Sequence, residues 1–488
     1  MLLREPRNAT VRAALIVAGT ACAAAGLVRG RIALRRSPIT IGSADLDLLA
    51  NAAIGSSSAS GTAALRDVDR GESAPSSQGP ITDLDGAPKG VNDLCPVTLV
   101  RVDIDIERGP IPLDASPGDR IWVEVFARGQ MVGAAEVRAE SGGLSEYVVS
   151  GLAQRFGDAR VEVKPELAED LLPSISVVVP TICRHPEQLV RTVRSLLDQH
   201  YPTYEVILVD NRSSSNPPLP QFEDDDRVRT VIERRPGIAS ARNKGISVAT
   251  GTVIAFTDDD AAVDTGWLRA LGTRFALDDD VDAIGGLVRP LELDTRSQLW
   301  FEEFYGGFTR SYEYQKMSYE LAGADDILFP YDVGRFGAGN NMALRRSAFD
   351  RVGGFDDRLG VGTPTKGGED SEMYLRILSS GGTVAYEPAA LVRHSHRRTQ
   401  RDFMTQVFSY GTGLTAMLCA IVVDDPRHLW AMMRRVPAAL HLLTRPATER
   451  STSLAPSYPR RTMLYQCAGM AYGPLALLRS VMRNRRFA

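Results

Sequence analysis

Residues 252–260 read TVIAFTDDD, an apolar run that stops abruptly at three consecutive carboxylates. Val253, Ile254, Ala255 and Phe256 have the composition of a short buried strand. In an open α/β sheet, ligands bind in the crevice outside the carboxyl ends of the strands, so acids at that position can hold a divalent cation through oxygen ligands. Asp258 and Asp260 make an Asp-x-Asp pair able to straddle such a cation, with phosphate oxygens of a substrate completing its shell. Taken alone, an acidic turn of this kind is more often solvated surface, and the elements around it decide.

Those elements alternate. SISVVVPT reads as a buried strand ending at Pro180 and Thr181. PEQLVRTVRSLLDQH follows as a helix with Leu189, Val193, Leu196 and Leu197 on one face. YEVILVDN is a second strand, ending in Asp210, and VRTVIE a third. RPGIASARNKGISVAT supplies the next helix, expected to start at Pro236, and leads into the strand at Val253. Strand and helix alternating at this spacing predict right-handed crossovers and a parallel sheet. Three strand ends then converge on one crevice, carrying Thr181, Asp210 and the cluster Asp258, Asp259 and Asp260.

The chain has 488 residues, 44% of them hydrophobic and 24% charged, enough for two or three domains with a large core. Residues 1–90 are rich in Ala, Gly and Ser and are expected to form a poorly ordered arm. Within it, residues 13–28 are uncharged and follow Arg4, Arg7 and Arg12. That stretch could pass for a signal sequence but falls short of the about 20 residues a bilayer span needs. Residues 91–170 are expected to form a small α+β accessory module. In it VTLVRVDIDI alternates, IWVEVFARGQMVGAAEVRA reads as two strands joined through Arg128-Gly129-Gln130, and SEYVVSGLAQRF reads as a helix. The five cysteines show no pairing or metal-like spacing, which fits a reducing compartment.

The ordered set VVVPT, VDN, RPGIASARNKG, FTDDD, FGAGNNMALRRSAFDRVGGFDDRLG and GGEDSEMYLRI resembles a family 2 glycosyltransferase with the GT-A fold over residues 174–396. The likeness implies a Rossmann-like α/β nucleotide-diphospho-sugar transferase domain, placed at 171–400. It further implies that Asp210 bonds the nucleotide base or ribose, that Thr181 lines the base pocket and that Arg242 helps to seat the donor. Asp258 and Asp259 would lie at the donor, and Asn341, in the Gly339-Asn340-Asn341-Met342 segment, near the donor sugar. Asp258, Asp260 and His394, at the end of AALVR, would hold Mg2+ or Mn2+. Glu369-Asp370 matches the family's Glu-Asp motif, with Asp370 as the base that takes the proton of an acceptor hydroxyl. Both acids also suit the positive first turn of the helix that follows. Trp267 is expected to pack in the core, and the stretch from Trp300 to Phe304 to border the acceptor. Two departures are VDN in place of the commoner VDD and TICR after the first strand.

Residues 401–488 are expected to form a basic amphipathic helical extension. Residues 403–423 carry no charge, and from Pro426 onward there are eleven arginines, no lysine and one glutamate, against a net charge of −4 for the whole chain. Such a tail favours an anionic membrane surface. Scarce aromatics and high apolar content speak against nucleic acid. The expected function is thus an inverting transfer of a sugar from a nucleotide-diphosphate donor to a glycan, lipid-linked or small-molecule hydroxyl acceptor in cell-envelope glycan or glycoconjugate synthesis. Its place would be cytoplasmic, peripheral on the inner face of the membrane. The alternatives are an inactive nucleotide-sugar-binding scaffold and a nucleotidyltransferase. The latter usually carries a Gly-rich phosphate loop after the first strand, which PTICRHPEQ lacks.

Overall fold

The structure, a computed structural model, describes residues 39–40 and 94–485, apart from 108, 215–216, 221, 223–224, 306, 324–325, 327 and 445–460. The expected arm and its apolar 13–28 stretch therefore lie outside the described residues, save for Ile39–Thr40, a short strand beside Ala135 and Glu136.

The central sheet runs in the order Ala261–Val263, Thr383–His394, Val281–Pro290, Met342–Arg345, Val253–Phe256, Ile175–Thr181, Tyr204–Asp210 and Val228–Ile232, with Gln315–Met317 added against Thr383–His394. Ile175–Thr181, Val253–Phe256 and Val281–Pro290 are buried along their whole length, as mainly apolar strands covered on both faces are. Helices Pro186–Leu197 and Trp267–Leu277 pack one face and helices Ile238–Val248, Glu369–Ser379 and Gln400–Asp424 the other. Pro186 opens its helix, and Leu189, Val193 and Leu196 are its buried stripe. The next helix begins at Ile238, after Gly237 with φ 134°, rather than at Pro236.

The sheet is parallel from Val228–Ile232 to Val253–Phe256 and again between Val281–Pro290 and Thr383–His394. Met342–Arg345 is antiparallel to both of its neighbours, which corrects the all-parallel expectation. Val281–Pro290 ends on the carboxyl side of the sheet; residues 291–341 dip to its amino end, where Gln315–Met317 pairs with Val384 to Tyr386, and return to the carboxyl edge, where Met342 pairs with Phe256. The next strand therefore starts from the ligand-binding edge and runs back, with no crossover helix to reset its direction.

The N-terminal unit is a second sheet of Leu94–Asp103, Arg120–Ala127 and Gln130–Arg138, with helix Glu146–Phe156 capped by Ser145. Its hairpin turns at Arg128 (φ 50°) and Gly129 (φ 74°), the two left-handed residues a tight two-residue turn requires. A boundary near residue 170 does not describe it fully. Leu293–Thr295 returns from the catalytic part to pair with Leu94–Asp103. Between the two sheets Arg289 is fully buried, 3.2 Å from both Glu124 and Glu302.

Helix Gln400–Asp424 is long and apolar enough to cross a membrane, yet most of its apolar window is buried inside the protein. It packs on helix Thr462–Asn484 backbone to backbone through glycines: a Cβ at Gly469 would meet the Phe408 carbonyl oxygen at 2.1 Å, and one at Gly411 the Gln466 carbonyl oxygen at 2.3 Å. Thr415 Oγ1 donates to the Met470 carbonyl at 2.7 Å across the same seam. Gly469→Ala is expected to destabilise the protein by about 1–3 kcal/mol in urea unfolding, whereas Ala468→Ser on the exposed face stays within about 0.5 kcal/mol.

Candidate active site

Strand register brings the first cluster together. Ala261, directly after the three acids, pairs with His394 across the sheet, and Ser395 N donates to the Asp260 carbonyl at 3.1 Å. Side-chain ligand atoms of Asp258, Asp260 and His394 consequently lie within 4.8 Å of one another. His394 Nε2 is 3.1 Å from Asp260 Oδ1. Burial works to raise the Asp260 carboxyl, but the imidazolium of His394, its hydrogen bond and Arg397 outweigh that and hold it down at about 2. Burial likewise works to lower His394, and Asp260 reverses it, so the ring stays protonated above its ordinary range. Asp258 is pushed up, first by burial. Asp258 Oδ1 and His394 Nδ1 are buried without a hydrogen-bond partner among the described residues. Two carboxylates and an imidazole with such orphaned atoms are a donor set that fits a divalent cation taking oxygen and nitrogen ligands.

The second cluster starts helix Glu369–Ser379. Gly368 precedes it with φ 96°, and a Cβ there would meet the Gly413 carbonyl oxygen at 2.6 Å. Helix Gln400–Asp424 thus backs the turn that presents Glu369 and Asp370. Arg242 joins the two clusters: it is 1% exposed, its Nη1 donates to Glu369 Oε1 at 2.9 Å, and its Nη2 sits 3.6 Å from Asp258 Oδ1. The same Nη2 donates to the Gly339 carbonyl at 2.9 Å, and Gly339 N donates to Asp370 Oδ2 at 2.8 Å. Burial, then the neighbouring Asp370, pushes the Glu369 carboxyl up to about 7 against the pull of Arg242. Arg242 therefore acts as a buried strut between acids, a different part from the donor contact expected of it. Asp370 is only half-buried, so it is the acid of the pair with access to a substrate.

At the neighbouring strand ends Thr181 pairs in register with Asp210. Thr181 Oγ1 donates to Asp259, whose carboxyl burial raises to about 6. Asp210 is held by Arg212, whose Nε and Nη2 donate at 2.8 and 3.0 Å. Arg212 was not among the expected site residues, although a base two residues past a strand-end acid was a signal for it. Asn211, the residue by which VDN departs from VDD, is engaged through its own amide. Asn211 Nδ2 donates to the Glu233 and Arg235 carbonyls at 2.8 Å each and Oδ1 accepts from Gly237 N at 3.0 Å, so this amide fixes the turn before helix Ile238–Val248.

Asn341 corrects another expectation. Its side chain is fully buried, with Oδ1 accepting from Trp267 Nε1 at 2.9 Å and Nδ2 donating to the Leu287 and Ala390 carbonyls at 2.9 and 2.8 Å. Nothing is left for a sugar, and Asn340, whose Oδ1 is buried without a partner among the described residues, is the amide still available. Trp267 packs in the core as expected. Trp300 and Phe301 are interior as well, in a cluster with Phe403, and Glu302 bonds His396 at 2.8 Å. They do not border an open acceptor site. The role found for Asn211 predicts that Asn211→Asp, which turns a donor toward two carbonyls into an acceptor, costs about 1–3 kcal/mol in chemical denaturation.

Comparison with known proteins agrees with this geometry. The profile described as Glycosyl transferase family 2 matches residues 176–353, and that described as the N-terminal domain of galactosyltransferase matches 322–403. The glucosyl-dolichyl phosphate glucuronosyltransferase of Haloferax volcanii is 30% identical over 240 residues, covering 47% of this chain and 72% of that protein. The pre-mycofactocin glycosyltransferase of Mycobacterium tuberculosis is 29% identical over 274 residues, covering 52% of each. The chain spans about half the length of most curated relatives it matches. A solved mannosyltransferase of Pyrobaculum calidifontis, in complex with GDP-Man and Mn2+, aligns at 18% identity and a TM-score of 0.41 over 68% of this chain and 92% of that one. By its strand-end acids, its order of motifs, the family profile and the haloarchaeal relative, the chain belongs to glycosyltransferase family 2 and has the GT-A architecture of that family.

Proposed function

We propose that the protein transfers a glycosyl group from a nucleoside-diphosphate sugar to a hydroxyl acceptor, inverting the anomeric carbon. One observation carries the reading: Arg242 ties the Asp258, Asp260 and His394 cluster to the Glu369 and Asp370 cluster. Asp258, Asp260 and His394 would hold Mg2+ or Mn2+, and a cation bound there supplies positive charge against diphosphate oxygens as the glycosidic bond breaks. Thr181, Asp210 with Arg212, and Asp259 line the strand ends where the nucleotide belongs.

Asp370 acts as the base. Its carboxylate takes the proton of the acceptor hydroxyl while that oxygen attacks the anomeric carbon, and the pair of electrons of the breaking bond leaves with the nucleoside diphosphate. A single displacement of this kind inverts the centre. Gly339 N positions Asp370, and the buried charge of Arg242 holds both Gly339 and the neighbouring Glu369 in place. The haloarchaeal relative is described as acting on a sugar carried by dolichyl phosphate, which supports a lipid-linked or other glycan hydroxyl as acceptor and a role in cell-envelope glycan or glycoconjugate synthesis.

The test is a panel of nucleotide sugars screened by thermal shift with and without Mn2+, followed by turnover with the donor so found. Wild type is expected to be stabilised by its donor only with metal. Asp260→Ala should lose that metal-dependent shift, and retention of the shift would remove Asp260 from the metal site. Asp370→Asn should keep the shift while turnover falls by about 10²–10⁴; near-normal turnover would disqualify Asp370 as base.

A further inference from the structure

Helix Thr462–Asn484 is apolar on its outer face. A surface helix normally turns its apolar stripe to the core and its polar residues to water. Here the buried positions mix Met470, Ala476 and Leu477 with Thr462, Gln466, Gly469, Gly473, Ser480 and Asn484, and the solvent side carries Leu464 (67% exposed), Leu475 (45%), Leu478 (41%) and Met482 (51%). Ala468 and Ala471 continue the stripe between them. From Leu464 to Met482 it runs for about 27 Å at the rise of an α-helix. The inner face explains half of the arrangement, because small residues allow the close helix contact described above and bury little apolar area. Nothing in the described core explains the outer half.

The rim of the stripe is basic. Arg461, Arg479 and Arg485 are exposed at its ends, and none has a carboxylate partner among the described residues. No Asp or Glu occurs among the described residues from Arg427 onward. Helix Arg427–Thr444 repeats the pattern, with Trp430 (67% exposed) and Met433 (41%) beside exposed Arg434. Apolar side chains flanked by arginines, with tyrosines Tyr465 and Tyr472 at the edges and Arg479 donating to Tyr472 Oη at 2.7 Å, match the layered chemistry of a phospholipid surface: hydrocarbon inward, phosphates at the level of the arginines. A second copy of this face would set arginine against arginine.

We propose that the outer face of Thr462–Asn484 is the docking surface by which the protein lies on an anionic phospholipid bilayer, without spanning it. Helix Gln400–Asp424 stays packed on the catalytic domain in that arrangement, and the surface is independent of the catalytic assignment.

The full-length protein is floated with vesicles of phosphatidylcholine alone and of phosphatidylcholine with phosphatidylglycerol, at low and high salt. Wild type is expected to float with the anionic vesicles, less so at high salt, and not with the neutral ones. Leu475→Glu/Leu478→Glu should weaken flotation at least about tenfold, and Arg479→Glu/Arg485→Glu should do so chiefly at low salt, with melting temperatures near wild type. Leu464→Glu, a full three turns from Leu475, provides the same reading should the double variant fold poorly. Failure of the wild type to bind anionic vesicles overturns the proposal, as does unchanged binding by the leucine variants. Equally contrary would be a wild-type dimer that these substitutions split while vesicle binding persists, since the face would then be a contact between copies.

Discussion

A single buried guanidinium sets the geometry of the cleft. Arg242 stands between Asp258 and Glu369 with 1% of its surface exposed, and the rings of Phe256 and Phe355 lie 5.8 and 5.3 Å from it. Arg242 and Glu369 are almost shut off from water and Asp258 is half-buried, so charge on them is weakly screened and acts strongly enough to fix distances. Removing the cation would leave two carboxylates facing each other with no partner. The buried cost is the reason the residues that react are held still, and it explains why Glu369 titrates near neutrality while remaining next to a positive charge.

The same logic extends outward from the metal-ligand strand. His396, two residues beyond His394, bonds Glu302; Glu302 pairs with Arg289, Arg289 with Glu124, and Glu124 with Arg393 of that very strand at 2.6 Å. Glu124 belongs to the N-terminal sheet. The accessory module is thereby fastened to the back of the site by buried charge, and the pairing of Leu293–Thr295 with its first strand adds backbone hydrogen bonds to the joint. On the opposite side, helix Gln400–Asp424 presses on Gly367 and Gly368 under the base helix. Both flanking regions buttress the cleft without contributing a reacting group.

Much of this was legible in the sequence because it rests on local pattern. Apolar runs ending in Thr181, Asp210 and Asp258 fixed where the strands stop, and the Arg128-Gly129 turn and the Ser145 cap follow from backbone preferences of those residues. The pairing of Asp260 with His394 was readable only through family likeness, since their contact depends on the register of two strands far apart in the chain. The reversal at Met342–Arg345 was hidden because direction in a sheet depends on where the previous strand ends. Side-chain amides were the hardest: Asn211 and Asn341 look alike in sequence to any polar residue near a ligand, and only their donors and acceptors show that Asn211 is spent on the backbone and Asn341 on two carbonyls and the Trp267 indole. The span-like apolar stretch 403–423 misleads for a related reason, as a helix covered by protein and one covered by lipid share a composition.

The claim that the two acid clusters form one electrostatic unit is tested most directly by a double-mutant cycle between Arg242→Met and Glu369→Gln, read by urea unfolding. The account predicts a coupling of about 1.5–3 kcal/mol, the double variant losing far less than the two single losses together. Losses that add to within about 0.5 kcal/mol would contradict it, for the guanidinium and the carboxylate would then be neighbours without dependence on each other.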